Sequence, residues 1–210
     1  RCNRIDPWGD LHVNPARGIF TGNRGCVVDD DENVVRHHGS SLWITCELVF
    51  RDWKSPLARG RRWTPLFFLD EAVALAAGHR PCAFCRRKDY NNYRMAVSEG
   101  LRRDKPLLAA EINSRLIAER HTTGRGLTRA HHRITWESPI HELPNGAVVT
   151  KKNQDSYLVL ERHLLKFHFD GWGEPIAAPN NLSVSVLTPP TSVLALKNGF
   201  NARLHDSAAL

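Results

Sequence analysis

Two cysteines three positions apart, Cys82 and Cys85, end the segment PLFFLDEAVALAAGHRPCAFCRR, residues 65–87. Thiols at that spacing share one tight turn and grip half of a tetrahedral zinc site. Arg80-Pro81 feeds the turn from an extended chain, because a residue before proline is barred from the helical region. The other cysteines are Cys2, Cys26 and Cys46, and five thiols, an odd number widely spread, make a poor disulfide framework and a better metal set. Cys46 lies in the apolar run LWITCELVF. A buried cysteine is commonly inert filler, but the pair at Cys82 and Cys85 makes ligation the stronger reading.

The elements that must position these thiols follow from the local pattern. Leu66 to Leu69 reads as a buried strand, Asp70 offers a side-chain oxygen to free helix amides, Ala72 to Ala77 favours helix, and Gly78 supplies the left-handed stop. Leu42 to Phe50 reads as a strand with Trp43, Thr45 and Glu47 on one face. Ile44, Cys46, Leu48 and Phe50 then occupy the core-facing side. Helices are expected over Arg86 to Ser98, with Phe84 packed inward, and from Pro106 to about Arg120. His37-His38 reads as solvated surface. Beyond Pro139 the texture changes to turns and short strands at Ala147–Thr150, Tyr157–Leu160, Leu164–Phe169 and Val184–Leu187, with a last helix from Ser192 to Asn198. The expected class is α+β: a zinc-stabilised N-terminal α/β lobe over 1–100, a helix and basic loop over 101–138, and an antiparallel β-rich lobe over 139–210.

The 29 Lys and Arg against 22 Asp and Glu give a net charge of +7, which favours polyanionic partners. Residues 51–64 interleave cations with Trp53 and Trp63. Arg59, Arg61 and Arg62 would follow a phosphate backbone while the rings stack on bases, although a solvated loop whose tryptophans cover core edges is the plain alternative. Asn23 and Arg24, inside Thr21-Gly22-Asn23-Arg24-Gly25-Cys26, form either a phosphate-holding turn or an ordinary hairpin turn. Arg86 and Arg87 leave the cysteine turn as a cationic exit. The run from Arg120 to Arg133 is basic and contains Gly, as a DNA-contacting loop or a plain connection would. No apolar stretch of membrane-spanning length and no signal-peptide pattern is read, so a cytoplasmic protein with no membrane partner is expected.

The segment FFLDEAVALAAGHRPCAFCRR resembles the end of the zinc-binding domain of the Ada family, which repairs methylphosphotriesters in DNA. Phe67, Phe68, Ala74, Ala77, Gly78, Arg80, Pro81, Cys82, Cys85 and Arg86 stand in the register of that family's pattern. His79 replaces an aromatic, and Gly18-Ile19-Phe20 is similar to the family's Gly-Ile-Phe. The resemblance covers about a third of the chain and implies a zinc-holding, DNA-binding lobe. It does not carry over methyl transfer, because Thr21 and Gly25 stand at the family's first two cysteine positions, and threonine is no thiolate. The metal set expected is Cys26, Cys46, Cys82 and Cys85 around one structural zinc, with His79 or Cys2 in place of Cys26 as alternatives.

Three function classes remain. The first is a zinc-stabilised DNA-binding protein of repair or modification type, acting on duplex DNA and processing a lesion or base. The second is a zinc nucleobase deaminase, for which Pro81-Cys82-x-x-Cys85 is half the signature. Its other half, His-x-Glu or Cys-x-Glu, is missing, and Cys46-Glu47 is adjacent rather than spaced. The third is a regulatory interaction module. For base removal or backbone cutting, Glu47, Asp70, Glu111, His131 and His132 are the candidate acids and bases. Phosphate-loop, nucleophile-elbow and His-Glu-x-x-His motifs do not occur.

Overall fold

The computed structural model describes residues 2–31, 33–51, 63–151, 155–179 and 182–210. Its centre is the helix α1, Glu71–Ala76, all of whose residues are buried. Asp70 caps it as the sequence predicts, accepting from the Val73 amide at 3.0 Å. Six residues are too few for a helix to persist alone, so tertiary packing carries it. Ahead of α1 lie the strands β1 (Cys2–Ile5), β2 (Leu11–Val13), β3 (Phe20–Asn23), β4 (Ile44–Cys46) and β5 (Leu66–Phe68), and just after it β6 (Arg80–Pro81). They form one mixed sheet of six strands in the order β2-β1-β5-β3-β4-β6. Gly18 lets the chain entering β3 press against β5: a Cβ there would sit 1.8 Å from the Phe68 carbonyl oxygen.

The second half begins with α2 (Arg87–Gly100) and α3 (Ala109–Arg120). Then follow β7 (Trp136–Pro139), β8 (Val148–Thr150), β9 (Ser156–Leu160), β10 (His163–His168), β11 (Gly171–Ala177), β12 (Ser183–Val186) and the helix α4 (Pro190–Lys197). These six strands make an antiparallel sheet in the order β11-β10-β9-β8-β12-β7. The α+β class expected from the sequence is therefore observed. Strands at 148–150, 156–160 and 163–168 fall within a residue or two of the expected ones. Gly171-Trp172-Gly173 opens β11, for which the sequence pattern gives no strand.

The two halves share a core. Ile5, Phe20, Leu66, Phe68 and the α1 residues Val73 and Ala74 cluster with Val148, Leu158, Leu165, Trp172 and Leu187 of the second sheet. The C-terminal tail fastens the same helix, since Trp172 Nε1 donates to Asp70 Oδ2 at 2.6 Å and the His205 amide to the same oxygen at 3.1 Å. Arg133 closes the other end of α1, donating to the carbonyls of Ala76 and Leu187. Among the described residues no helix is long and apolar enough to cross a membrane.

Candidate metal centre

The strand β4 runs beside β6 in parallel, with Ile44 opposite Arg80 and Thr45 opposite Pro81. Arg80 N donates to the Trp43 carbonyl at 3.2 Å, and Cys82 N to that of Thr45 at 2.9 Å. This pairing carries Cys46 to the Cys82 turn, and the sulfurs of Cys46, Cys82 and Cys85 lie within 4.8 Å of one another. The three residues could hold a metal ion. Thiolates are soft donors, and a set of this kind selects zinc-like or cuprous ions over hard cations. The Phe84 amide donates to Cys82 Sγ at 3.4 Å. Hydrogen bonds from Cys46 and Cys85 pull the Cys82 thiol far below its ordinary range, while the bond to Cys82 pushes Cys46 up. The three sulfurs thus titrate as one coupled set.

The face assignment of β4 is the reverse of the expected one. Trp43 and Thr45 are buried and Cys46 half-buried, while Leu48 and Val49 are exposed. Trp43 is drawn inward by a cluster of cations and histidines described below, so the alternate face turns to the sulfur site. Cys26 does not join the cluster: its Sγ lies 3.3 Å from the Val28 carbonyl and 4.0 Å from Thr64 Oγ1. His79 is also elsewhere, fully buried between Trp43 and Phe68 at ring distances of 5.0 and 4.7 Å. The Cys2 side chain lies outside what is described.

The expected phosphate contacts divide three ways. Trp53, Arg59, Arg61 and Arg62 lie outside the described residues, and Trp63 and Asn23 are half-buried. Arg24 and Arg86 are corrections: both are buried and cannot follow a phosphate backbone. Arg86 Nη1 pairs with Glu71 Oε1 at 2.7 Å, both side chains 1% exposed, and Nη2 meets Asp89 Oδ2 at 2.7 Å. Burial would lower its pKa, but these carboxylates raise it on balance. Arg24, wholly buried, donates from Nη1 to the Gly9 carbonyl at 2.7 Å, and its Nε and Nη2 have no partner.

Arg87 remains exposed, with Lys88 beside it in the first turn of α2. Phe84, expected inside, is 69% exposed on the turn between the two cysteines. Its ring meets Phe50 edge-on at 5.3 Å, and the Arg51 guanidinium lies 5.1 Å from the Phe50 ring centre. Glu47, next to Cys46, is held by Arg203 Nη2 at 2.6 Å and lies 3.5 Å from Arg86 Nε.

At the far end of β4 the structure assembles a site that the sequence does not announce. The Trp43 ring has the Arg120 guanidinium at 3.9 Å and that of Arg24 at 4.8 Å. Arg120 reaches it by crossing Gly78, where a Cβ would lie 2.4 Å from Arg120 Cδ and the φ of +86° already favours glycine. His37, His38 and His121 surround the same ring at 5.4–5.7 Å. Gly78-His79-Arg80-Pro81-Cys82 therefore serves both ends of β4, making room for Arg120, packing Trp43 and delivering a thiol. Comparison of the chain with protein-family models, with curated proteins and with solved structures finds no match.

Proposed function

We propose that this chain is a zinc-stabilised nucleic-acid-binding protein that acts on DNA in repair or modification. Cys46, Cys82 and Cys85 would hold the ion, leaving one position of a tetrahedral zinc for water or a further donor. The ion would lock β4 to β6, which is a structural duty. The observation that carries the reading is the tip of the cysteine turn. Phe84 stands out of it with Phe50 and Arg51 alongside, and Arg87 and Lys88 are exposed at its exit. Exposed rings accept base stacking and flanking cations follow phosphates, so the tip fits a distorted or unpaired site in DNA. Deamination is disfavoured because Glu47, the nearest carboxylate in sequence to the sulfurs, is occupied by Arg203.

The test is binding of fluorescent duplexes, intact and containing an unpaired base, at 50 and 200 mM salt. The unpaired site binds more tightly, and the paired substitution Arg87→Ala/Lys88→Ala reduces the salt slope by about 2, one per phosphate contact. Phe84→Ala removes the preference for the unpaired base. Absence of binding at low salt overturns the reading.

A further inference from the structure

Beside Trp43 opens a cavity of about 300 Å³ whose walls include His38, Trp43, Arg120, His121, Thr122 and Arg129. That volume is at the lower end of small-molecule sites, enough for a phosphate with a sugar-sized substituent and too little for duplex DNA. Trp43 and Ile117 make much of its wall apolar, while the charged side chains that line it, Arg120 and Arg129, are cationic. Arg129 is only 6% exposed; Nη2 donates to the Thr122 carbonyl at 2.8 Å and Nε has no partner. The buried Nε2 of His121 is also unpartnered. Arg24 and Arg133 lie behind, and burial first, then the fields of neighbouring arginines, lower Arg24 and Arg120 to about 9. The buried acid among them, Asp10, is already committed to the Arg129 and Ala130 amides at 2.7 and 3.3 Å.

A chain of hydrogen bonds fixes the protonation of His38. His37 Nε2 lies 2.9 Å from the Gly9 carbonyl and 3.5 Å from Asp10 Oδ1, and both oxygens only accept. Burial, partly opposed by Asp10, holds His37 below its ordinary range, so at pH 7.5 the ring is neutral; its one proton sits on Nε2 and Nδ1 is left an acceptor. His38 Nδ1 is 3.2 Å from that atom and must donate to it. Burial, then His37, Arg24, Arg129 and Arg120, hold His38 down to about 4, so the ring is neutral at pH 7. Nδ1 then carries its one proton and Nε2 keeps a free lone pair.

We propose that this cavity binds a phosphate monoester, with Arg120 and Arg129 on its oxygens and His38 Nε2 accepting its proton. The proton distinguishes ligands. Inorganic phosphate keeps one throughout the neutral range and a monoester, its second pKa about 6, can regain one on binding, whereas sulfate and an internal phosphodiester carry none at neutral pH. Against those anions the His38 lone pair faces an oxygen lone pair, and binding weakens. The groups facing His38, namely His37 backed by Asp10, the arginines 24, 120 and 129, and His121 across Trp43, supply no other donor to Nε2 among the described hydrogen bonds. This inference is independent of the reading of the Phe84 tip.

Calorimetric titration of the full chain at pH 7.5 tests it, with inorganic phosphate, sulfate and a simple alkyl phosphate monoester in two buffers of different ionisation enthalpy. Phosphate, which already carries a proton at this pH, binds at least about tenfold more tightly than sulfate, and the monoester, a proton-free dianion there, takes up close to one proton on binding. His38→Ala, with folding checked by circular dichroism, brings phosphate to the sulfate level and abolishes the monoester's uptake. A nucleoside 5′-monophosphate and an oligonucleotide with a 5′-phosphate or a 5′-hydroxyl end then assign the source. Tighter binding of the phosphorylated end marks a DNA terminus, and tighter binding of the mononucleotide marks a free metabolite. Equal binding of phosphate and sulfate, no phosphate binding, or discrimination that survives His38→Ala overturns the proposal.

Discussion

Arg86 and Arg24 are equally inaccessible to solvent, yet they are opposite kinds of buried cation. Arg86 has Glu71 and Asp89 within 2.7 Å, and its pKa is raised. Arg24 has one carbonyl, two unsatisfied nitrogens and no carboxylate in contact; burial above all brings its pKa to about 9, with Asp10 and Asp6 offsetting part of the fall and Arg120 and Arg129 adding to it. A paired charge is part of the scaffold, because removing either partner strands the other in low dielectric. An unpaired cluster works against folding and persists where something else uses it. The sulfur end of β4 thus sits beside directly paired charge, and the Trp43 end, where the phosphate site is proposed, beside cations that Asp10 and Asp6 offset only in part.

The largest effect comes from cutting the staple both ends depend on. Cys82→Ser removes one of the three clustered sulfurs, and the zinc proposed there falls from one per chain to background with a stability loss of more than about 4 kcal/mol, read by metal analysis and denaturant unfolding. Next is the paired region. Glu71→Ala takes from Arg86 its one fully buried carboxylate, leaving the more exposed Asp89 and Glu47, and costs about 3 kcal/mol, whereas Glu71→Met/Arg86→Met restores most of that loss. The unpaired region behaves differently. Arg24→Met stays within about 1 kcal/mol of the parent, since Gly9 O keeps His37 as a donor and a desolvated charge is relieved. A cost for Arg24→Met comparable with that of Glu71→Ala breaks the contrast.

A smaller effect is expected from acid. Burial foremost, then neighbouring cations and His37, depress His38 to about 4 and His121 to about 2, and burial holds His79 well below its ordinary value. The unfolded chain takes up protons near pH 6.5 that the folded one refuses, so stability is full above that pH and is lost as pH falls toward 4. His79→Phe sharpens this, because both ring nitrogens lack partners. It stabilises by about 1 kcal/mol at pH 5.5 and flattens the profile, measured as denaturation midpoints between pH 5 and 7.5.

Local grammar made part of this legible. Strand, Asp70 cap, Ala-rich helix and Gly78 follow one another as written, and Cys46 meets the Cys82 turn because β4 pairs in parallel with β6, a pairing that neither segment's own pattern specifies. What failed was long-range. An arginine in a sequence reads as surface, and nothing near Arg24 or Arg86 announces burial, since their partners lie on other elements. His37-His38 looked like solvated loop because Gly9 and Asp10, which orient the pair, are 28 and 27 residues away. Phe84 was placed inside by helical spacing, yet it precedes α2 on a turn whose sulfurs already fill the inner side. One signal was available: a glycine at 78 directly before His79 marks a place where another side chain passes, here Arg120.

The most direct test of the central claim is X-ray absorption at the zinc edge on purified protein, with zinc counted in the same sample. One zinc per chain with at least three sulfur neighbours at about 2.3 Å is expected. Less than stoichiometric zinc after anaerobic purification, or a shell of nitrogen and oxygen alone, contradicts it.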